Sequence, residues 1–187
     1  MSRGIGLVEL FEDVEDLQIF DRLMQVNYLG AVNCIHAALP HLKQSRGMIV
    51  CISSIQSKLS VPLHSGYVAS KHALQGFCDT LRMELDGSGV GVLTVLPHWL
   101  RGTELRRHAL GKDGKPLGPS SRKHSKESIT VEAASKAILD AVDKRKRELV
   151  IPWKLRLLAA LNHLKPRLAE SIIKAAMSKQ DHTEVDR

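Results

Sequence analysis

Two side chains that could share a proton, Tyr67 and Lys71, stand four residues apart. The apolar pattern over residues 65–85 predicts a helix, and side chains four apart on a helix share one face. A phenol is normally too weak an acid to exchange protons near neutral pH. A nearby ammonium stabilises the phenolate and lowers the pKa of the phenol, so the pair is a candidate general acid/base. The alternative is a solvated surface pair with no chemical role.

Two further polar residues extend this candidate site towards the N-terminus. Ser54 lies thirteen residues before Tyr67, at the carboxyl end of a predicted buried strand, where open parallel sheets bind their ligands. Its hydroxyl could donate a hydrogen bond to a substrate carbonyl beside the phenol. Asn27 lies inside the preceding predicted helix, where its amide could relay a proton through water. Considered singly, Ser54 could instead satisfy backbone groups at the strand end, and Asn27 could bond a local carbonyl.

The elements that must position these residues alternate between helix and strand. Apolar residues at helical spacing predict the helices, and short runs rich in β-branched residues predict the strands. The predicted order is helix 16–41, strand 47–54, helix 65–85, strand 91–97, helix 130–144 and strand 148–151. Pro40 is expected to close the first helix, and Thr130 is the expected N-cap of the third. Strands buried on both faces and separated by helices indicate a parallel, doubly wound α/β sheet.

The C-terminal third contains the irregular and basic segments. Residues 101–128 are rich in Gly, Pro, Ser and basic residues and predict a long loop. Two short helices, 154–164 and 167–179, are divided by Pro166, so we predict a sheet domain over 1–152 and a helical extension over 153–187. Residues 154–165 are basic and apolar on one face. We interpret them as a helix that packs on the domain or lines the substrate mouth, the alternative being contact with an anionic membrane.

The site motif resembles that of a known family. Tyr67-Val-Ala-Ser-Lys71, preceded by Gly47-Met-Ile-Val-Cys-Ile-Ser-Ser54 and by Val26-Asn27-Tyr-Leu-Gly30, is similar in residue type and spacing to the short-chain dehydrogenase/reductase family. The resemblance implies a Rossmann-type sheet, NAD or NADP as cofactor, and hydride transfer between an alcohol and a carbonyl. It implies Tyr67 as the acid/base and Lys71 as the group that lowers its pKa and holds the nicotinamide ribose. Ser54 then positions the carbonyl, and Asn27 supports the proton relay.

The resemblance also implies cofactor contacts and a substrate class. The implied cofactor-binding residues are Tyr67, Lys71, Pro97, His98, Leu100 and Thr103. The C-terminal helices are similar to those of the hydroxysteroid-dehydrogenase-like branch. They imply a small-molecule alcohol or carbonyl substrate of lipid or steroid-like character.

The chain departs from the family pattern in two places. Only 26 residues precede Asn27, too few for four strands and their helices, and there is no Asn-Asn-Ala-Gly turn. The opening Ser2-Arg3-Gly4-Ile5-Gly6 looks like the tail of the family's glycine-rich fingerprint, but no strand precedes it. We therefore expect an N-terminally truncated chain that lacks most of the cofactor-binding half and that, if it is the whole protein, has little or no turnover. Pro97-His98 also replaces the family's Pro-Gly, and a side chain at position 98 would crowd the nicotinamide.

Two functions from different classes follow. The first is an NAD(P)-dependent oxidoreductase that interconverts an alcohol and a carbonyl. The alternative is a non-catalytic fragment that acts as an oligomerisation or interaction partner of an intact relative. The family associates through the two long helices that correspond to 16–41 and 65–85, so a homo-oligomer such as a dimer is expected.

Composition excludes several other classes. The formal charge is +7, yet only 4% of residues are aromatic, so there is little surface on which to stack bases and no nucleic-acid partner is expected. Cys34, Cys51 and Cys78 lie in apolar surroundings without metal-ligand spacing, and we interpret them as buried free thiols. Free thiols indicate a reducing compartment, so we expect a cytoplasmic protein, the alternative being a peripheral position on an intracellular membrane. No metal site is expected.

Overall fold

A parallel sheet forms the centre of the chain. A computed structural model describes residues 4–103, 105, 107–118 and 128–185. Its strands are β1 (Met48–Ile52), β2 (Gly91–Pro97), β3 (Leu100–Arg101), β4 (Ile129–Thr130) and β5 (Glu148–Ile151). The order β1–β2–β5 makes a three-stranded sheet in which both pairings are parallel, and β3 pairs with β4 separately. The predicted parallel sheet is confirmed.

Helices cover both faces of this sheet. They are α1 (Gln18–Met24), α2 (Gly30–Ser45), α3 (Ser65–Glu84), α4 (Val131–Asp143), α5 (Leu155–Leu164) and α6 (Pro166–Val185). On one face, Ile35 of α2 and Leu74 of α3 share a core cluster with Ile49 of β1. On the other face, Ala141 of α4 packs with Leu93 of β2. This arrangement confirms the doubly wound α/β fold.

The central strand is buried because it has a strand on each side and helices on both faces. Leu93, Thr94, Val95 and Leu96 are each at most 1% exposed. A run of four consecutive buried residues is typical of a parallel strand rather than of the alternating pattern of a half-exposed one. Each fully buried leucine contributes about 1.5–3 kcal/mol to folding. The end of this strand is therefore held firmly where it approaches the candidate site.

The first predicted helix differs from the structure in two ways. It consists of α1 and α2, joined by a π-helical turn over Gln25–Leu29. It also continues past Pro40 to Ser45, so the prediction that Pro40 closes it is wrong. Proline removes one backbone donor, but Leu42 packs on the core beyond it and keeps the last turn in place. The helix ends where Arg46 adopts a left-handed conformation with φ 50°.

The C-terminal elements follow the predicted order. Thr130 caps α4, and its hydroxyl oxygen accepts a hydrogen bond of 3.3 Å from the Ala133 amide, as predicted. Pro166 is the first residue of α6 rather than a spacer, because its fixed φ suits the first helical position. Helices α5 and α6 share a core cluster with Leu96 and Val150 of the sheet. The predicted helical extension therefore packs on the domain.

The N-terminal segment, defined as residues 4–10, runs beside part of the predicted loop. The Leu110 amide donates to the Gly6 carbonyl at 2.8 Å, and the Val8 amide donates to the Leu110 carbonyl at 3.0 Å. Leu7 and Leu110 are almost fully buried. The described part of the predicted loop is thus bonded into the domain, whereas Met1 to Arg3 and residues 104, 106 and 119–127 lie outside the described residues.

The three cysteines are free, as predicted, but only two are buried. Cys51 and Cys78 lie in the core between β1 and α3, whereas Cys34 is exposed. The prediction of burial is wrong for Cys34 because it lies about 100° around α2 from the apolar stripe that contains Ile35. In the described part of the chain, no helix is long and apolar enough to cross a bilayer. The same residues include no group of three or more potential metal ligands.

Candidate active site

Asn27 connects three parts of the chain. It lies in the π-helical turn between α1 and α2, a local irregularity that is frequent at functional sites. Its Oδ1 accepts a hydrogen bond of 3.0 Å from the Ile5 amide. Its Nδ2 donates to the Ile5 carbonyl at 2.9 Å and to Ser70 Oγ at 3.0 Å. The amide thus bonds a segment 22 residues away rather than a local carbonyl.

Tyr67 and Lys71 lie on the first turns of α3, which are pressed against α1. A Cβ atom on Gly66 would stand 2.7 Å from Leu23 Cδ1 and 3.0 Å from Phe20 Cδ1, so only glycine permits this close approach without a shift. Ser70 adds a link between the site residues, because its hydroxyl donates to the Tyr67 carbonyl at 2.8 Å. Tyr67 and Lys71 lie four residues apart on α3 and share one face of it, as predicted.

Ser54 approaches Tyr67 from the end of β1. Its Oγ accepts a hydrogen bond of 3.2 Å from the Gln56 amide and so caps the short 3₁₀ turn Ile55–Ser57. Its side chain also lies beside that of Tyr67. Ser54 and Tyr67 line a cavity of about 80 Å³. The sequence-predicted hydroxyl pair therefore meets at a cavity.

The ammonium of Lys71 is buried beside the tyrosine ring. Lys71 is only 5% exposed, and its Nζ lies 5.6 Å from the centroid of the Tyr67 ring. Nζ donates one long hydrogen bond of 3.4 Å to the Ile52 carbonyl. Burial disfavours the charged form and lowers the pKa of Lys71 to about 8, with Cys51 opposing this shift.

The pKa of Tyr67 is raised, which is opposite to the direction predicted from its spacing to Lys71. Burial of the phenol is the largest cause, and the hydrogen bond with Ser54 partly opposes it. Sequence spacing alone does not include the cost of placing a phenolate in a water-poor interior. The consequence is that Tyr67 holds its proton near neutral pH. It is poised to donate that proton rather than to accept one.

The lowered pKa of Lys71 predicts a pH-dependent stability. Between about pH 8 and 10.5, the folded lysine is neutral while the unfolded lysine still binds a proton. The unfolded state then binds more protons, so the free energy of unfolding rises with pH across this window. We expect the wild-type chain to gain about 3 kcal/mol relative to Lys71→Met over that range. Urea unfolding of both proteins at a series of pH values measures the difference.

The control for this prediction is Lys136→Met on α4, where the lysine is exposed. Tyr67 and Cys78, whose pKa values are raised, also affect stability at high pH, but they are present in every variant and largely cancel in the difference. A pH-independent difference between wild type and Lys71→Met would contradict the buried, titrating ammonium.

The predicted cofactor contacts beyond β2 lie in different positions. His98 lines the same cavity as Ser54 and Tyr67, and its amide donates to the Ile151 carbonyl at 2.8 Å. Pro97 is the buried last residue of β2. Leu100 lies in β3, and exposed Thr103 donates from its hydroxyl to the Leu100 carbonyl at 3.2 Å. The structure therefore brings His98 to the cavity but not Leu100 or Thr103.

Several residues of the site were missed by sequence reasoning. The cavity is also lined by Trp99, Gln56 and His64, and by Gly6 and Val8 of the N-terminal segment. His64 Nδ1 lies 2.9 Å from the Leu7 carbonyl, and this contact joins the start of α3 to the same segment. Ser70 alone had a local signal, because it follows Tyr67 by three residues on the predicted helix.

Comparison with known proteins identifies the family. The family model described as short chain dehydrogenase matches residues 2–113, which is more than half of the chain. The chain belongs to the short-chain dehydrogenase/reductase family. The match includes Asn27, Ser54, Tyr67 and Lys71, the four residues that carried the resemblance in the sequence.

The matching relatives in this family are longer than this chain. It is 37% identical over 161 residues to the rat dehydrogenase/reductase SDR family member 7B, covering 85% of the chain and 49% of that protein. It is 34% identical over 164 residues to an SDR family protein 7-like of Anopheles gambiae, covering 87% of the chain and 51% of that protein. The chain thus spans about half the length of these short-chain dehydrogenase/reductase relatives.

Solved structures of the family share the fold. A short chain dehydrogenase from Burkholderia cenocepacia, in complex with NADP, superposes with a TM-score of 0.73 at 24% identity and covers 91% of this chain and 65% of that one. A short chain dehydrogenase/reductase from Burkholderia phymatum, in complex with NAD, gives a TM-score of 0.69 at 18% identity and covers 89% of this chain and 64% of that one. These likenesses confirm the Rossmann-like architecture expected for a short-chain dehydrogenase/reductase.

Proposed function

We propose that the site formed by Asn27, Ser54, Tyr67 and Lys71 interconverts an alcohol and a carbonyl, with NAD or NADP as hydride carrier. The observation that supports this function is the meeting of the Ser54 hydroxyl, the Tyr67 phenol and the Lys71 ammonium at one buried location. They come from the end of β1 and the start of α3, and Asn27 joins them through Ser70.

In the direction of reduction, the residues of the chain supply and guide the proton. Ser54 holds the substrate carbonyl by a hydrogen bond, and Tyr67 donates its proton to the carbonyl oxygen. Because burial raises the pKa of Tyr67, the phenol keeps that proton near neutral pH until the carbonyl oxygen accepts it. Lys71, with a pKa of about 8, then assists return of a proton to the phenolate. A nicotinamide dinucleotide held at Lys71 would supply the hydride for the carbonyl carbon.

The chain fits the nicotinamide-ribose end of such a cofactor. Within the described residues, the buried Lys71 donates one long hydrogen bond, to the Ile52 carbonyl, so its other N–H groups suit ribose hydroxyls. Among the described residues, no glycine-rich turn joins a strand to a following helix, so the phosphates have no comparable cradle there.

The walls of the cavity favour a substrate with an apolar body. Ile55, Trp99, Leu105 and Ala109 line it beside the Ser54 and Tyr67 hydroxyls. The cavity holds about 80 Å³, so its walls contact only the part of a substrate next to the reacting group. They support an alcohol or carbonyl with an apolar group beside its reacting carbon.

A fluorescence titration tests the cofactor part of the proposal. Trp99 lines the cavity, and Trp153 is the second tryptophan of the chain, so a Trp153→Phe background leaves Trp99 as the only tryptophan. We expect NADPH or NADH to quench this emission saturably, with low affinity because the described residues supply contacts only at the nicotinamide-ribose end. Separate titrations with the two reduced cofactors measure which one binds more tightly.

The matched variants are Lys71→Ala and Lys136→Ala in the same background. Saturable quenching should disappear with Lys71→Ala and persist with Lys136→Ala, because Lys136 is exposed on α4. Quenching that is unchanged by Lys71→Ala, or absent from the parent at every concentration tried, would contradict cofactor binding at this site.

A role as an interaction partner is the second candidate function. The observation that favours it is the outer edge of β1, which pairs only with β2 among the described strands. Val50 at this edge is 36% exposed. An unpaired edge offers backbone donors and acceptors to another strand. This edge supports association between copies of the chain, or between this chain and an intact relative.

The buried free thiols Cys51 and Cys78 support a cytoplasmic location.

A further inference from the structure

Helix α5 is apolar on two opposite faces, and only one of them is packed. On the inner face, Leu155, Leu158 and Ala159 pack against the core cluster that contains Leu96. On the same side, Asn162 Nδ2 donates to the Lys58 carbonyl at 3.1 Å. The domain therefore fixes which side of α5 faces outwards.

The outer face carries a stripe of exposed apolar side chains, here called the α5 stripe: Trp153, Leu157, Ala160 and Leu164. Trp153, Leu157 and Leu164 are 65%, 67% and 76% exposed. Their spacing of four, three and four residues keeps them within a narrow sector of the helix. Trp153 lies in the turn that leads into α5, where the Arg156 amide donates to its carbonyl at 3.0 Å. Isolated exposed leucines are ordinary, but an aligned stripe headed by a tryptophan is not.

Cations flank the α5 stripe on both sides. At 100° per residue, Arg156 projects along one edge of the stripe, and Lys154 and Lys165, which flank the two ends of α5, lie towards the other edge. All three residues are exposed. The sequence contains no acidic residue from 149 to 169. The surface thus combines an apolar centre with uncompensated positive charge at its edges.

We propose that the α5 stripe is a docking surface for the anionic phospholipid headgroups and outer acyl region of a membrane, with α5 lying in the plane of the interface. Apolar residues including Trp enter the headgroup boundary, and flanking Lys and Arg contact acidic lipids, which is how interfacial helices bind. A second copy of the chain seated on this stripe would bring the flanking cations of the two copies together without acidic partners. The proposal does not depend on the proposed enzymatic function.

Vesicle co-sedimentation of the full 187-residue chain tests this docking. One set of vesicles is phosphatidylcholine alone, and the other contains roughly 30% phosphatidylserine. We expect sedimentation with the anionic vesicles, weak sedimentation with the neutral ones, and a large loss in about 1 M salt, where screening acts within about 3 Å. The triple variant Trp153→Ser, Leu157→Ser, Leu164→Ser should bind at least about tenfold more weakly.

Matched variants distinguish binding by the α5 stripe from non-specific hydrophobic binding and from non-specific electrostatic binding. Met83→Ser with Leu139→Ser removes two equally exposed apolar residues elsewhere and should leave binding unchanged. Arg156→Gln with Lys165→Gln should weaken binding to anionic vesicles by about tenfold or more, whereas Lys136→Gln with Lys144→Gln should not. Thermal unfolding of each variant shows that its fold is intact.

Several results would overturn the proposal. These are no sedimentation of the wild-type chain, equal sedimentation with neutral and anionic vesicles, or equal losses from the stripe and control variants. Size-exclusion chromatography with light scattering, which measures the mass of the protein in solution, adds a further test. If the wild-type chain is an oligomer that the triple variant converts to a monomer, and vesicles are not bound, the stripe is a protein interface instead.

Discussion

In an intact version of the protein that catalyses carbonyl reduction, replacing Tyr67 with Phe is expected to lower the rate by about two to four orders of magnitude. Phenylalanine keeps the packing of the buried ring and deletes only the hydroxyl beside the Ser54 side chain. Folding and cofactor affinity should therefore change little. Measuring kcat and kcat/KM beside the dissociation constant of the reduced cofactor separates loss of chemistry from loss of binding.

The other tyrosine of the chain provides the control. Tyr28 packs edge-on against Phe77, with ring centroids 6.1 Å apart, and does not line the cavity. Tyr28→Phe should leave the rate nearly unchanged. If Tyr67→Phe retained more than about a tenth of the parental turnover, Tyr67 would not be the proton donor.

Replacing Leu96 with Ala is expected to lower the free energy of unfolding by about 2–5 kcal/mol. Leu96 is fully buried in β2 and packs with Ile55, Val150 and Ile173. Truncation loses the burial of its side chain and leaves a cavity where the sheet meets the C-terminal helices. Because typical domains are stable by only about 5–15 kcal/mol, this one change could remove much of the total. Equilibrium urea unfolding measures the loss.

Leu139→Ala is the matched control for this prediction. Leu139 is 64% exposed on α4, so its truncation should change stability by no more than about 0.5 kcal/mol. A loss at Leu96 as small as that at Leu139 would show that β2 is not packed between the two helical layers.

The alternation of elements was predictable because it depends on local patterns. The run at residues 91–97 has β-branched and aliphatic residues between Gly91 and Pro97, and it forms the buried strand β2. The helical spacing over residues 65–85 matches α3, and Thr130 caps α4 as its side chain type predicts. These features involve contacts within a few residues, so periodicity and capping chemistry suffice to predict them.

Long-range contacts explain where prediction was incomplete. The continuation of α2 past Pro40 depends on the packing of Leu42 in the core, which no local rule includes. The bonds between Asn27 and Ile5 join segments 22 residues apart and gave no signal in the sequence. The packing of Gly66 against Leu23 likewise requires knowledge of how α1 meets α3.

The sequence by itself determined the parallel α/β fold and the family, and it predicted the candidate site residues Asn27, Ser54, Tyr67 and Lys71, because residue type and spacing are local properties of the chain. The tertiary structure decided the pKa values, and so the protonation states, of Tyr67 and Lys71. It raised the pKa of Tyr67 and lowered that of Lys71, because both shifts come mainly from removal of water by neighbours distant in sequence. It also decided which apolar face of α5 is packed and which is left to solvent, since both faces have helical spacing and only the fold distinguishes them.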